Sequence, residues 1–160
     1  MSDTPSRSGT AQVMLAALSQ VVESMAFEMV ELTSESEGWP ATVSPDATWM
    51  ATRLRVINPR PGGIISLWLP RDVMMALAET INGVPAAEID DAMLDDNLTE
   101  FLNMVSGRFM AEFSPGSAFE LGLPEISTGA TPPLPAPSRH AAFSITAGPI
   151  VMGCSGCIAR

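Results

Sequence analysis

The sequence has no lysine and no tyrosine; its only fixed cations are eight arginines, set against 18 carboxylates for a net charge of −10. A surface that neutralises nucleic-acid phosphates needs a basic footprint, so nucleic acid is excluded as a partner. The same scarcity argues against a polybasic surface lying on anionic lipid. Cysteine and histidine are almost missing too, with two of the first and His140 as the sole example of the second. A structural zinc site takes four sulfur or nitrogen ligands, more than these side chains supply. No signal peptide is read at the start, because the opening residues are polar and the first apolar run is interrupted by Gln20 and Glu23. One uncharged stretch, Ala141 to Ala159, reaches membrane length. It contains Ser144, Thr146, Ser155 and the turn pair Gly148-Pro149, so it reads as two strands and not as a span. The expectation is a cytoplasmic protein that does not engage a membrane.

What is present is apolar. The chain is 46% hydrophobic with a mean hydropathy of +0.23, which argues against disorder, and its 160 residues suffice for one domain with a substantial core. Residues 1–8 read as a disordered tail, and 9–160 as a single domain. From Gly9 to about Phe27 the apolar spacing is helical. Residues 27–33 alternate as a strand, and 34–46 form a loop. Trp49 to Ile57 alternates strictly in its centre, with Met50, Leu54 and Val56 on one face and Arg53 and Arg55 on the other. Asn58 to Gly63 is a turn cluster leading to a strand over Ile64–Leu69 that carries Trp68, expected to be buried. Pro70 then opens a short helix, Arg71 to Ile81, closed by Asn82-Gly83. A long helix follows from Asp90 or Asp91 to Phe113, a strand over 118–127, a loop over 128–139 with four prolines, and a closing hairpin of 142–147 and 150–158. The fold class is α+β: an antiparallel sheet with two long helices and one short helix packed on it.

The long helix carries the chemistry. At about 100° per residue, Leu94, Leu98, Phe101, Leu102, Val105 and Phe109 gather on one side. Asp96, Glu100, Asn103 and Gly107 fall on the other side, within roughly 60° of one another. A solvated face would explain the acids. It does not explain Asn103, since asparagine is a poor helix former and an exposed mid-helix site gains nothing from it. Gly107 leaves room for another backbone to come close.

The pattern Asp96-x-x-x-Glu100-x-x-Asn103-x-x-x-Gly107, followed by Leu123-Pro124, resembles the signature of the CheC/CheX/FliY phosphatases of bacterial chemotaxis, in its single-site CheX-like branch. Weaker likeness extends to Glu23–Phe27, to the strand Gly63–Leu69 and to the helix ending at Asn82-Gly83. The resemblance implies a phosphatase acting on the aspartyl phosphate of a CheY-like receiver domain, with Glu100 and Asn103 as catalytic residues. Asn103 would align the attacking water, and Glu100 would pair with a lysine of the receiver. Asp96 and Gly107 would lie in the partner interface. No cofactor of its own is implied, because Mg²⁺ comes with the phosphorylated partner. A homodimer through sheet edges is implied as well. The alternative is a non-catalytic adaptor of the same fold, binding a receiver domain or itself.

Other constellations read as structural. Glu79-Thr80-Ile81-Asn82 repeats the Glu-x-x-Asn spacing, but at a helix end where Asn82-Gly83 suits a cap. Cys154 and Cys157 are three apart, so on a strand they point to opposite faces. A zinc or redox module built on this pair is the third reading, with structural thiols favoured over it. His140 has no nucleophile to serve and reads as a loop residue. Asn58–Gly63 has glycines without the lysine and helix of a phosphate loop.

Overall fold

In the computed structural model, residues 7–34, 46–58, 62–129 and 138–156 are described. The proposed tail over residues 1–6, most of the 34–46 loop, residues 130–137 of the proline-rich segment and Cys157 lie outside them. The architecture is α+β, as expected, and the described residues form three helices on one antiparallel sheet of seven strands.

Helix α1 spans Arg7–Ala26, starting at Arg7 and not at Gly9. Its buried stripe is Ala11, Met14, Ala17, Leu18, Val21 and Val22. It ends because Phe27 turns into the left-handed region at φ +56, where its N–H donates to the Glu23 carbonyl at 3.2 Å. Strand β1 therefore covers Glu31–Ser34, shorter than the expected 27–33. The intervening turn is fixed from outside, as the Thr146 N–H donates to Glu28 Oε2 at 2.9 Å.

Strands β2 (Trp49–Asn58) and β3 (Gly63–Pro70) form the expected hairpin. Strands β6 (Ser138–Ile145) and β7 (Gly148–Gly156) form the closing one, turning at Thr146-Ala147 and not at Gly148-Pro149. His140 consequently lies within β6, half-buried, and not in a loop. The uncharged stretch is this hairpin, and among the described residues no helix is long and apolar enough to cross a membrane. The sheet order is β1-β6-β7-β3-β2-β4, with β5 also pairing β2.

Alternation gives the sheet two buried faces. Leu54, Leu67, Leu69, Phe143, Ile150 and Met152 face the helices. On the far face Ala51 pairs with Trp68, Trp68 with Val151 and Val151 with Ala142, a lateral row of buried residues across four strands. Trp68 is buried there, as its strand context predicts. The strand expected over 118–127 is broken into β4 (Glu120–Leu121) and β5 (Glu125–Gly129). Gly122-Leu123-Pro124 causes the break, for Pro124 has no N–H to give a ladder.

Helix α2 (Arg71–Asn82) leaves the sheet directly after Pro70, and a single 3-10 turn at Ala86–Glu88 brings the chain back. The start of α3 (Asp91–Phe113) is pinned near the start of α2 by Arg71 Nη2 donating to Asp91 Oδ1 at 2.7 Å. Helix α3 then packs against α1 and across β2 and β3.

Candidate functional site

Helix α3 is capped by its own sequence. The Asp90 carboxylate accepts the Met93 N–H at 2.8 Å, which satisfies one of the first-turn donors and places a negative charge at the positive end of the dipole. Leu94, Leu98, Phe101, Leu102, Val105, Ser106, Phe109 and Met110 are buried. This is the predicted face, widened by Ser106 and Met110. Phe109 stacks on Phe113 with ring centroids 5.4 Å apart. The helix is thereby fixed in rotation, and its outward face is set by the core.

That outward face is the predicted row. Asp96, Glu100 and Asn103 are exposed, and Gly107 is half-exposed. The row runs from Asp96 to Gly107 over about 16 Å of helix. None of the three side chains makes a hydrogen bond or ion pair with another described residue. Gly107 is not required by packing either, since a Cβ there would meet nothing within 4 Å. Two poor helix formers, Asn103 and Gly107, thus stand side by side in a well-packed helix with no structural demand for them.

The second Glu-x-x-Asn provides an internal control. Glu79 Oε1 accepts the Ala86 N–H at 2.7 Å, and Asn82 Nδ2 donates to the Ala78 carbonyl at 2.7 Å. Gly83, at φ +65, closes the helix. Both side chains are engaged in ending α2, as the cap reading predicts. One Glu-x-x-Asn closes a helix; the other presents its side chains to solvent.

The zinc or redox reading of the cysteine pair finds no support at Cys154, the member of the pair that is described. Cys154 is buried, and desolvation pushes its thiol up to about 12, against a smaller lowering by Arg139. A thiol so held stays protonated and unreactive. Among the described residues no group of three or more His, Cys, Asp or Glu side chains is placed to hold a metal ion.

Two features went unseen in the sequence. On the flank of the row, Asn97 Nδ2 is buried without a hydrogen-bond partner among the described residues. Periodicity marks Asn97 only as a boundary position. On the far face of the sheet, a pocket of about 180 Å³ opens beside Arg53, Arg55 and Leu123. Alternation places the two arginines outward, but the swing of Leu123 into solvent depends on the break between β4 and β5.

The sequence profile of the family described as chemotaxis phosphatase CheX matches residues 57–147, which contain the entire row. Among curated proteins, none matches the chain in sequence. Similar solved structures include the chemotaxis protein CheX of Vibrio vulnificus, with a TM-score of 0.73 and 15% identity, covering 93% of this chain and 97% of that one. The CheX of Desulfovibrio desulfuricans gives 0.70 and 18%, covering 91% and 97%. A third, at 0.60 and 21% over 91% and 95% of the two chains, is from the CheX-CheY-BeF₃-Mg²⁺ complex of Borrelia burgdorferi. These likenesses extend the shared fold over nearly the whole chain.

Proposed function

Because the chain belongs to the chemotaxis phosphatase CheX family, we propose that it hydrolyses the aspartyl phosphate of a CheY-like receiver domain in chemotaxis or a related two-component pathway, with Asn103 and Glu100 as the working residues. The observation that carries this is the free Glu100–Asn103 pair on the exposed face of a core-locked helix, beside a second Glu-x-x-Asn whose side chains are engaged. A relative of this fold in complex with CheY and Mg²⁺ supports a receiver domain as the partner.

Phosphoryl transfer is mostly positioning and charge stabilisation, so a helper protein needs few groups. The acyl phosphate sits beside the receiver's own Mg²⁺ and lysine and lacks an aligned water. The Asn103 amide has one face to donate and one to accept, which orients a water without acting as a base. The water oxygen bonds to phosphorus, the bond from phosphorus to the carboxyl oxygen breaks, and the proton leaves to solvent. The products are the aspartate carboxylate and inorganic phosphate. Glu100, about one turn back, pairs with the receiver's lysine and fixes the helix in register. Asp96 contacts the interface edge, and Gly107 admits the partner's backbone. A hundredfold acceleration requires about 2.7 kcal/mol, within the reach of one well-placed water.

The protein brings no cofactor, and Mg²⁺ arrives with the partner. It works in the cytoplasm, and an outer strand of the sheet provides the edge for a homodimer.

The test is the decay of a phosphorylated receiver domain from the same cell, in Mg²⁺, with and without the protein. Wild type should speed the decay, while Glu100→Ala and Asn103→Ala should lose the acceleration and Asn103→Ala should still bind. Unchanged decay across several receivers overturns the phosphatase reading and leaves the non-catalytic adaptor, while full activity in both variants overturns the assignment of Glu100 and Asn103.

A further inference from the structure

The pocket on the far face of the sheet stands apart from the row on α3 and has its own logic. It exists because the edge of the sheet is interrupted. Strand β4 pairs with Val56 and Asn58, and β5 pairs with β2 from Trp49 to Arg53. Between them the Gly122 N–H donates to the Arg55 carbonyl at 2.7 Å, so the connection is drawn tightly onto β2. Glycine suits this approach, since a Cβ would lie 3.3 Å from the Arg55 carbonyl oxygen, a contact tight enough to push the strand and the connection apart by a few tenths of an ångström. The next residue is then thrown outward, and Leu123 is 90% exposed. Ile57, on the same side, is 40% exposed.

Charge sharpens the picture. In a chain of net −10, two arginines flank one small concavity. They sit two apart on β2, about 7 Å along one face of the strand. Arg53 donates to Glu125 Oε2 at 3.0 Å. Arg55 makes no hydrogen bond or ion pair through its side chain with any described residue. A free guanidinium thus stands against two exposed apolar side chains.

We propose that this pocket docks an extended segment of a partner protein that presents one carboxylate beside branched apolar side chains. The carboxylate pairs with Arg55 in the two-pronged geometry a guanidinium offers. The apolar side chains pack on Ile57 and Leu123. At about 180 Å³ the pocket falls below the roughly 300 Å³ at which small-molecule and cofactor sites begin, so it accommodates one or two side chains and not a cofactor. Glu125, holding Arg53, limits the site to a single acid. The site does not depend on the phosphatase reading, because it lies on the face of the sheet away from α3.

The test uses the full chain, ¹⁵N-labelled, titrated with the N-acetylated peptide amide Leu-Leu-Glu-Leu-Leu and its counterparts carrying Gln or Lys at the centre. The glutamate peptide should shift the amides of Arg55, Ile57, Gly122 and Leu123. The glutamine peptide should bind at least fivefold more weakly and the lysine peptide not at all. Arg55→Glu and Ile57→Ser should each weaken the glutamate peptide by tenfold or more, with receiver dephosphorylation unchanged in both. Equal binding of all three peptides, no shifts at millimolar peptide, or wild-type affinity in Arg55→Glu overturns the proposal. Acetate alone reproducing the shifts, with no gain from the leucines, reduces the site to a simple anion contact and overturns it equally.

Discussion

Replacing Gly107 by alanine should make the protein more stable and less active. The free-protein half follows from the helix. A glycine in a helix interior is less favourable than alanine by about 0.8–1.0 kcal/mol, largely because the unfolded chain gives up more freedom. Gly107 lies well inside α3, and the added methyl would meet nothing within 4 Å. The full gain should therefore appear, as a rise of about 2–4 °C in the midpoint of thermal unfolding for a chain of this size. The complex is different. If a receiver's backbone comes into contact at Gly107, the same methyl overpacks the interface at about 1–3 kcal/mol. That corresponds to a loss of about 5- to 150-fold in kcat/KM.

Calorimetry of the free variant and a phosphoreceiver decay series read the two halves separately. A lower or unchanged midpoint would refute the account of α3 as a helix with no structural need for this glycine. A higher midpoint with unchanged kcat/KM would refute the placing of Gly107 in the interface, leaving Glu100 and Asn103 to be judged by their own variants.

Phe27→Gly should also stabilise. Relief of the left-handed residue at φ +56 is worth about 1–2 kcal/mol against about 0.4–1 lost to unfolded-state freedom, and the ring, 85% exposed, gives up little contact. A fall in the thermal midpoint would show that Phe27 packs in a way its exposure denies. Alkaline unfolding isolates the buried thiol, because a chain without lysine or tyrosine has few other groups that titrate there. With Cys154 raised from 9.0 to about 12, both states hold the proton below about pH 9; above it the unfolded thiol ionises while the folded one does not. Stability should then fall as pH rises from about 9 towards 12. Urea midpoints across that range should decline in wild type and stay level in Cys154→Ala, and a decline that survives the substitution would refute the assignment.

The sequence was most legible where one periodicity dominated. Helix α3, its Asp90 cap, the β2–β3 hairpin and the outward row all follow from spacing and capping chemistry. It was least legible where a single residue's backbone decided the outcome. Phe27 adopts a conformation that favours glycine, so the chain turns where alternation predicts a strand. Pro124 and the close approach of Gly122 divide an edge strand that reads as continuous. The closing turn falls at Thr146-Ala147, ahead of the stronger turn pair Gly148-Pro149, because Ile145 and Gly148 are already paired across the hairpin. The candidate residues themselves were legible because they violate propensity. An asparagine and a glycine on the exposed face of a long helix are costs that packing does not require, and costs of that kind collect at working sites.

The row's location on a helix follows from its chemistry. An amide neither gains nor loses a proton, so it contributes only by where it is, and a displacement of about 1 Å can cost a hundredfold. A loop would leave that position to chance. Helix α3 fixes it through a buried face that includes Leu98, Phe101, Leu102, Val105 and Phe109. Truncating one of these leucines to alanine would cost about 2–5 kcal/mol of folding. The outward residues contribute no such packing, and two of them lower helix stability outright. Core substitutions along α3 should therefore act on stability first and on turnover only through it. Substitutions at Asn103 or Gly107 should act on turnover while leaving stability intact or raised. On the phosphatase reading these two effects separate by helical face, and the separation depends on the burial pattern of α3 alone.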